Sequence, residues 1–116
     1  MAPAVLLALV EAGVVLWVED GRLRFRAPEG ALDAELRAHA VGCRGALVAL
    51  VRAGAVLPAA LTDWPSDALE SWEERSAICE FDGGLPRDAA EREAERCVRL
   101  EHARAFVARA ALRSAP

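Results

Sequence analysis

Apolar residues follow a helical spacing over the first dozen positions, alternate over the next dozen, and return to helical spacing for the rest of the chain. The spacing predicts a short helix over 4–12, with Val5, Leu6, Leu9 and Val10 on one side and Gly13 placed to stop it. From Val14 to Ala27 the period drops to two around Asp20-Gly21, a pair suited to a tight hairpin turn with positive φ at both central positions. Centring the register there pairs Glu19 with Arg22, Val18 with Leu23, Trp17 with Arg24, Leu16 with Phe25 and Val15 with Arg26. Side chains alternate across a strand. One face therefore carries Leu16, Val18, Leu23 and Phe25, the expected core face, and the other carries Val15, Trp17, Glu19, Arg22, Arg24 and Arg26.

Helical periodicity then resumes. Ala27-Pro28-Glu29-Gly30 reads as a turn, and Asp33 starts or caps a helix to about Val41, with Leu32, Leu36 and Val41 inward. Gly42 and Gly45 weaken the next turn, and a third helix runs through Leu47, Val48, Leu50 and Val51 to end at Gly54. Pro58 and Pro65 mark a connector. Beyond it Ser66 or Asp67 is placed to cap a helix to about Phe81, carrying Leu69, Trp72, Ile78 and Phe81. Asp82-Gly83-Gly84 breaks that helix, and Pro86 suits the first turn of another that reaches Leu112. The expected class is α+β: an α-β-β-α-α unit over 1–57, a connector over 58–65 and a helical hairpin over 66–113. A sheet of two strands needs helical cover, so the two parts are expected to pack together, with Trp64 and Trp72 seating the helical hairpin. Glu95 and Arg99 read as a surface pair at i, i+4, as do Asp88 and Arg92, each contributing about 0.2–0.5 kcal/mol.

Composition narrows the class. With 116 residues there is room for one ordinary domain, or a small domain with a helical appendage. All 14 basic residues are arginine, while Lys, Asn, Gln and Tyr are absent, a bias that fits a GC-rich genome and removes weight from the choice of Arg over Lys. No Cys-x-x-Cys pair occurs, and Cys43, Cys79 and Cys97 fit no zinc spacing, so neither metal nor cofactor is expected. Reduced thiols and a cytoplasmic setting follow from the odd cysteine count and the lack of a signal pattern: the apolar run Val5–Val10 has no basic flank and ends at Glu11. Ala46–Leu61 is interrupted by Arg52 and Pro58, which leaves no stretch suited to a bilayer. The net charge of −4 is uneven: balanced over 1–62, −6 over 63–82 and +2 over 83–116. A chain without a general basic field is a poor general binder of duplex DNA, though a local arginine cluster remains open.

The most specific local pattern runs from Leu9 to Leu32: Leu-x-x-x-Gly-Val-x-Leu-Trp-Val-Glu-x-Gly-Arg-Leu-Arg-x-Arg-Ala-Pro-x-Gly-Ala-Leu. It resembles the TubC-type N-terminal docking domain of nonribosomal peptide synthetases and hybrid synthetases. The resemblance implies that residues 1–57 form a docking domain, and that its exposed hairpin receives the C-terminal peptide of a preceding synthetase by strand addition. Trp17, Arg22, Arg24 and Arg26 would then be the peptide-contacting residues. The second half, from Trp72 through Arg87, looks like a tail found in small proteobacterial proteins, often in phage or mobile-element settings, and implies no chemistry.

The residues themselves point the same way while leaving alternatives. An edge strand offers unpaired backbone groups, and a row of arginines suits an acidic or carboxylate-bearing segment. Equally, arginine stems can simply pack over Trp17 on a solvated face. Stacking on Trp17 with phosphates on Arg22, Arg24 and Arg26 would describe an accessory protein that binds nucleic acid instead. The acidic stretch Asp63–Asp82 allows a third role, a mobile-element inhibitor of a host nucleic-acid-processing complex. Catalysis is not expected, because His39 and His102 sit on different helices without an orienting partner, and Ser66, Ser71 and Ser76 lack a nucleophile context. Asp82–Arg87 reads as a helix–helix turn, with an anion site at the following helix as its rival. The leading expectation is a non-catalytic adaptor that binds a short peptide segment of a larger protein.

Overall fold

A computed structural model describes residues 1–114, and the class is α+β. Helix α1 (Ala2–Glu11) carries a proline in its first turn, where the missing N–H costs nothing, and buries Val5, Leu6, Leu9 and Val10. It gives way to β1 (Val15–Glu19) through Gly13 at φ 90°. Strands β1 and β2 (Arg22–Arg26) pair antiparallel in the expected register, from Glu19 opposite Arg22 to Val15 opposite Arg26. Asp20 and Gly21 have φ of 53° and 74°, the two positive values that a hairpin turn of this kind requires.

Helix α2 (Ala34–Gly42) begins where Asp33 accepts a hydrogen bond from the Leu36 N–H at 2.7 Å. A break at Cys43 separates it from α3 (Arg44–Arg52), which ends before Gly54 at φ 95°. A short 3-10 turn (Leu61–Asp63) lies in the connector, followed by α4 (Ser66–Phe81) and α5 (Arg87–Ser114), packed against one another.

Three apolar clusters hold these elements, and α5 contributes to all of them. Leu6, Leu9, Val14, Leu16, Leu47 and Ala55 form the centre, with Phe106 and Val107 of α5 against it. Leu100 and Ala103 meet Val10 of α1, and Val98 meets Leu57 and Trp64. Fully burying Leu6, Leu9 or Leu47 is worth about 1.5–3 kcal/mol each. Buried Ala90, Ala94 and Ala103 leave room for a close approach to α5. Helix α3 packs on both strands and supplies the helical cover that a two-stranded sheet needs, while α5 packs along α1.

Some expectations are corrected. Phe25 stands 49% exposed and Val41 61% exposed, although both were expected inward. The reason is that α2 packs on α1 and α3, not flat on the sheet, so these side chains flank an apolar recess of about 160 Å³ beneath β2. Helix α4 has Pro65 at its cap position and no side-chain cap; extended backbone at Pro65 starts the helix at Ser66, and Asp67 accepts from Ala68 N–H at 3.0 Å inside the first turn. As expected, both tryptophans seat the helical hairpin: Trp64 clusters with Leu57 and Val98, and Trp72 packs against that cluster while donating from Nε1 to the Glu91 carbonyl at 3.0 Å. Arg99, expected on the surface, is only 6% exposed.

Candidate docking surface

The hairpin register fixes the site. Because Trp17 pairs with Arg24, Glu19 with Arg22 and Val15 with Arg26, these side chains share the face opposite Leu16 and Leu23. Arg22, Arg24 and Arg26 are exposed there, and Trp17 is half-buried. Arg24 Nε lies 3.7 Å from Glu19 Oε2, a solvent-exposed pair that contributes little to stability. Among the described residues the sheet has these two strands, so each has one unpaired edge. On β2, four of five residues are exposed and Leu23 alone is half-buried.

The turn end of the hairpin meets α3. A Cβ placed on Gly21 would stand 3.7 Å from Arg52 Nη2, which puts a guanidinium at the hairpin turn.

The opposite end opens into a cleft of about 620 Å³ between the strand termini and the first half of α5. Val15, Arg26 and Pro28 line one side, and Arg92, Arg96 and Arg99 line the other. Glu93 and Glu95 also reach the cleft, but each is held by an arginine of α5. Arg96 makes a two-pronged contact with Glu93 at 2.6 and 3.2 Å, and its Nη1 donates to the Glu11 carbonyl at the end of α1 at 3.2 Å. Arg99 Nε donates to Glu95 at 2.9 Å, while its Nη atoms reach the carbonyls of Leu57, Pro58 and Ala59 at 3.2, 3.1 and 3.0 Å. Among the described residues, no carboxylate pairs with Arg26 or Arg92.

Protonation follows from these contacts. The hydrogen bond from Arg96 holds Glu93 below the ordinary carboxylate range, against a smaller opposing effect of burial. The reciprocal bond from Glu93 raises Arg96. Burial pushes the Cys97 thiol up, aided by its hydrogen bond to Glu93. Burial also lowers Arg99; Glu95 works against that fall, and the nearby charge of Arg26 adds to it. The cleft is thus a cationic recess in which only part of the positive charge is already matched.

Sequence reasoning singled out the hairpin residues Trp17, Arg22, Arg24 and Arg26; Arg52 at the turn and Arg92 in the cleft were not among its candidates. Nothing in the sequence placed Arg52 at the turn. Arg92, Arg96 and Arg99, spaced four and three apart, form a helical stripe, and that spacing was the available signal. Of the histidines, His39 is exposed on α2, and His102 Nε2 lies 2.9 Å from the Gly54 carbonyl, joining α5 to the end of α3. Asp82-Gly83-Gly84 is a helix–helix turn, with Gly84 at φ 69° and Leu85 N–H donating to the Cys79 carbonyl at 3.2 Å. No described helix is long and apolar enough to cross a membrane.

A helix, an arginine-faced hairpin and two further helices thus make up the first part of the chain. Residues 5–50 match the model of the TubC N-terminal docking domain family. That span runs from α1 through most of α3 and contains Trp17, Arg22, Arg24 and Arg26, whereas α4 and α5 lie outside it. Comparison with curated proteins found no match, and comparison with solved structures found none either.

Proposed function

We propose that this protein is a non-catalytic adaptor whose residues 1–57 act as a docking domain for a short acidic or C-terminal peptide segment of a larger protein, such as a peptide synthetase. The segment pairs with the free edge of β2, which supplies affinity through backbone hydrogen bonds. Trp17, Arg22, Arg24 and Arg26 supply contact area, orientation and register. The observation that carries this reading is a five-residue strand with one unpaired edge and a row of exposed arginines, within the span that matches the docking family.

The test uses N-terminally fluorescein-labelled short peptides with acidic residues at alternate positions and a free carboxylate, read by anisotropy. Arg24→Glu sets a like charge against such a ligand and should abolish binding while the protein melts like the parent, within about 0.5 kcal/mol. Leu23→Glu, one position away, drives a charge into the half-buried side of the sheet and should unfold the domain. If Arg24→Glu melts like the parent and keeps the peptide, the hairpin face is ordinary surface. Binding of random oligonucleotides with a steep salt dependence, in place of the peptides, would assign the arginine row to phosphates.

A further inference from the structure

We propose that the cleft between the open end of the hairpin and α5 receives the terminal carboxylate of the docked peptide, with Arg26 and Arg92 as its two guanidinium partners. The inference rests on the docking reading and extends it to a part of the chain outside the family match. Its starting point is the charge balance of the cleft. Four arginines line it against two glutamates, and both glutamates are occupied by Arg96 and Arg99. Arg26 on the strand and Arg92 on the helix are the guanidiniums left without a carboxylate among the described residues. Two planar forks facing a shared recess suit one carboxylate group.

The position of the cleft argues for a chain terminus over a side chain. Arg22, Arg24 and Arg26 lead along β2 toward the cleft, where Pro28 and the side of α5 close the path. A segment laid along this row runs out of surface just past Arg26. An extended chain that ends there places its last carboxylate between Arg26 and Arg92, whereas a longer chain would have to turn away from α5. Arg96 and Arg99 hold the wall in place through Glu11 and through the Leu57, Pro58 and Ala59 carbonyls, so the recess is preformed.

The test compares the acidic fluorescein-labelled peptides carrying a free C-terminal carboxylate with the same peptides amidated at the C-terminus. On the parent protein, amidation should weaken binding about tenfold, the loss expected for one charge-assisted contact set. Arg92→Ala removes an exposed side chain with no ion pair, so it should melt like the parent, weaken the free-acid peptide about tenfold and leave the amidated peptide unaffected. Equal binding of acid and amide by the parent overturns the inference, as does an amidation loss that persists undiminished in Arg92→Ala. In both cases, loss of peptide in Arg24→Glu would still leave the docking reading standing. If no peptide binds the parent at any ratio of acid to amide, the docking reading falls and this inference falls with it.

Discussion

The guanidinium carbon of Arg99 sits 5.0 Å above the centroid of the Trp64 ring, sandwiching the connector between α5 and the indole. The same guanidinium donates to three successive carbonyls, of Leu57, Pro58 and Ala59, and Trp64 Nε1 donates back to the Pro58 carbonyl at 2.8 Å. Buried backbone acceptors need partners, and the prolines at 58 and 65 prevent this stretch from forming them within a helix. Arg99 reaches all three, and Trp64 shares the Pro58 carbonyl with it.

Arg99→Ala should therefore destabilise the protein by about 3 kcal/mol, because it strands Glu95 and removes the side-chain donor from the Leu57 and Ala59 carbonyls, leaving only Pro58 with a partner in Trp64. Arg99→Lys should recover only part of this, since an ammonium cannot span the same fork. Urea denaturation followed by circular dichroism measures both. A loss for Arg99→Ala no larger than that of an exposed helix pair, about 0.5 kcal/mol, would show that the connector does not depend on it.

Arg99 also marks the boundary of what the sequence makes legible. Local rules were sufficient for the hairpin: Asp20-Gly21 sets the turn, and alternation about it sets which residues share the arginine face. They were sufficient for the α2 start at Asp33 and for the Gly83-Gly84 break. They could not show that Arg99 turns inward, because a helical arginine preceded by Glu95 has the same local pattern whether it faces solvent or a proline-rich connector more than forty positions earlier. Arg92 escaped for the same reason: its place in the cleft follows from how α5 packs on α1 beside the open end of the hairpin, a long-range fact. Phe25 and Val41 were misplaced because alternation assigns a face, not the depth of cover that the neighbouring helix provides.

The tip of the helical hairpin gives a second test. Gly83 does not have positive φ, yet a Cβ there would stand 2.7 Å from the Cys79 carbonyl oxygen, a backbone atom that cannot simply rotate away. Gly83→Ala should cost about 1–2 kcal/mol through displacement of the last turn of α4. Thermal melts of that variant report the cost, and an unchanged midpoint would mean the turn has slack.

Acid should weaken the contact between α1 and α5. Arg96 lowers Glu93 below its unfolded-state value, so the charged pair contributes fully above the ordinary carboxylate pKa of about 4.3 and is lost as pH falls through the lower folded-state value. Since the Glu93 side chain is substantially exposed, the contribution is screened to below about 1 kcal/mol. Denaturation midpoints of the parent and Glu93→Gln should differ at about pH 7 and draw together as pH falls through the lowered folded-state value. A gap that stayed constant over this range would assign the effect to packing and not to charge.

Leu16 and Phe25 face one another across the hairpin and belong to the same side of the sheet, yet their environments differ. Leu16 is 3% exposed in the main cluster, and Phe25 is 49% exposed at the mouth of the recess lined by Leu32 and Val41. The cost of truncation follows the area removed from water and the cavity left behind, not side-chain size alone. Leu16→Ala should cost about 2–5 kcal/mol, the range for a large aliphatic group taken from a packed core. Phe25→Ala removes the larger group but should cost about 1 kcal/mol, because roughly half of it already meets solvent and no closed cavity is left. If the docked segment runs along β2, Phe25 should matter more for binding than for folding, since a peptide strand on that edge would cover its exposed ring. Urea midpoints give the first comparison and peptide anisotropy the second. Equal destabilisation by the two substitutions would show that the recess beneath β2 is closed in solution, and unaltered peptide affinity in Phe25→Ala would place the docked segment away from that edge.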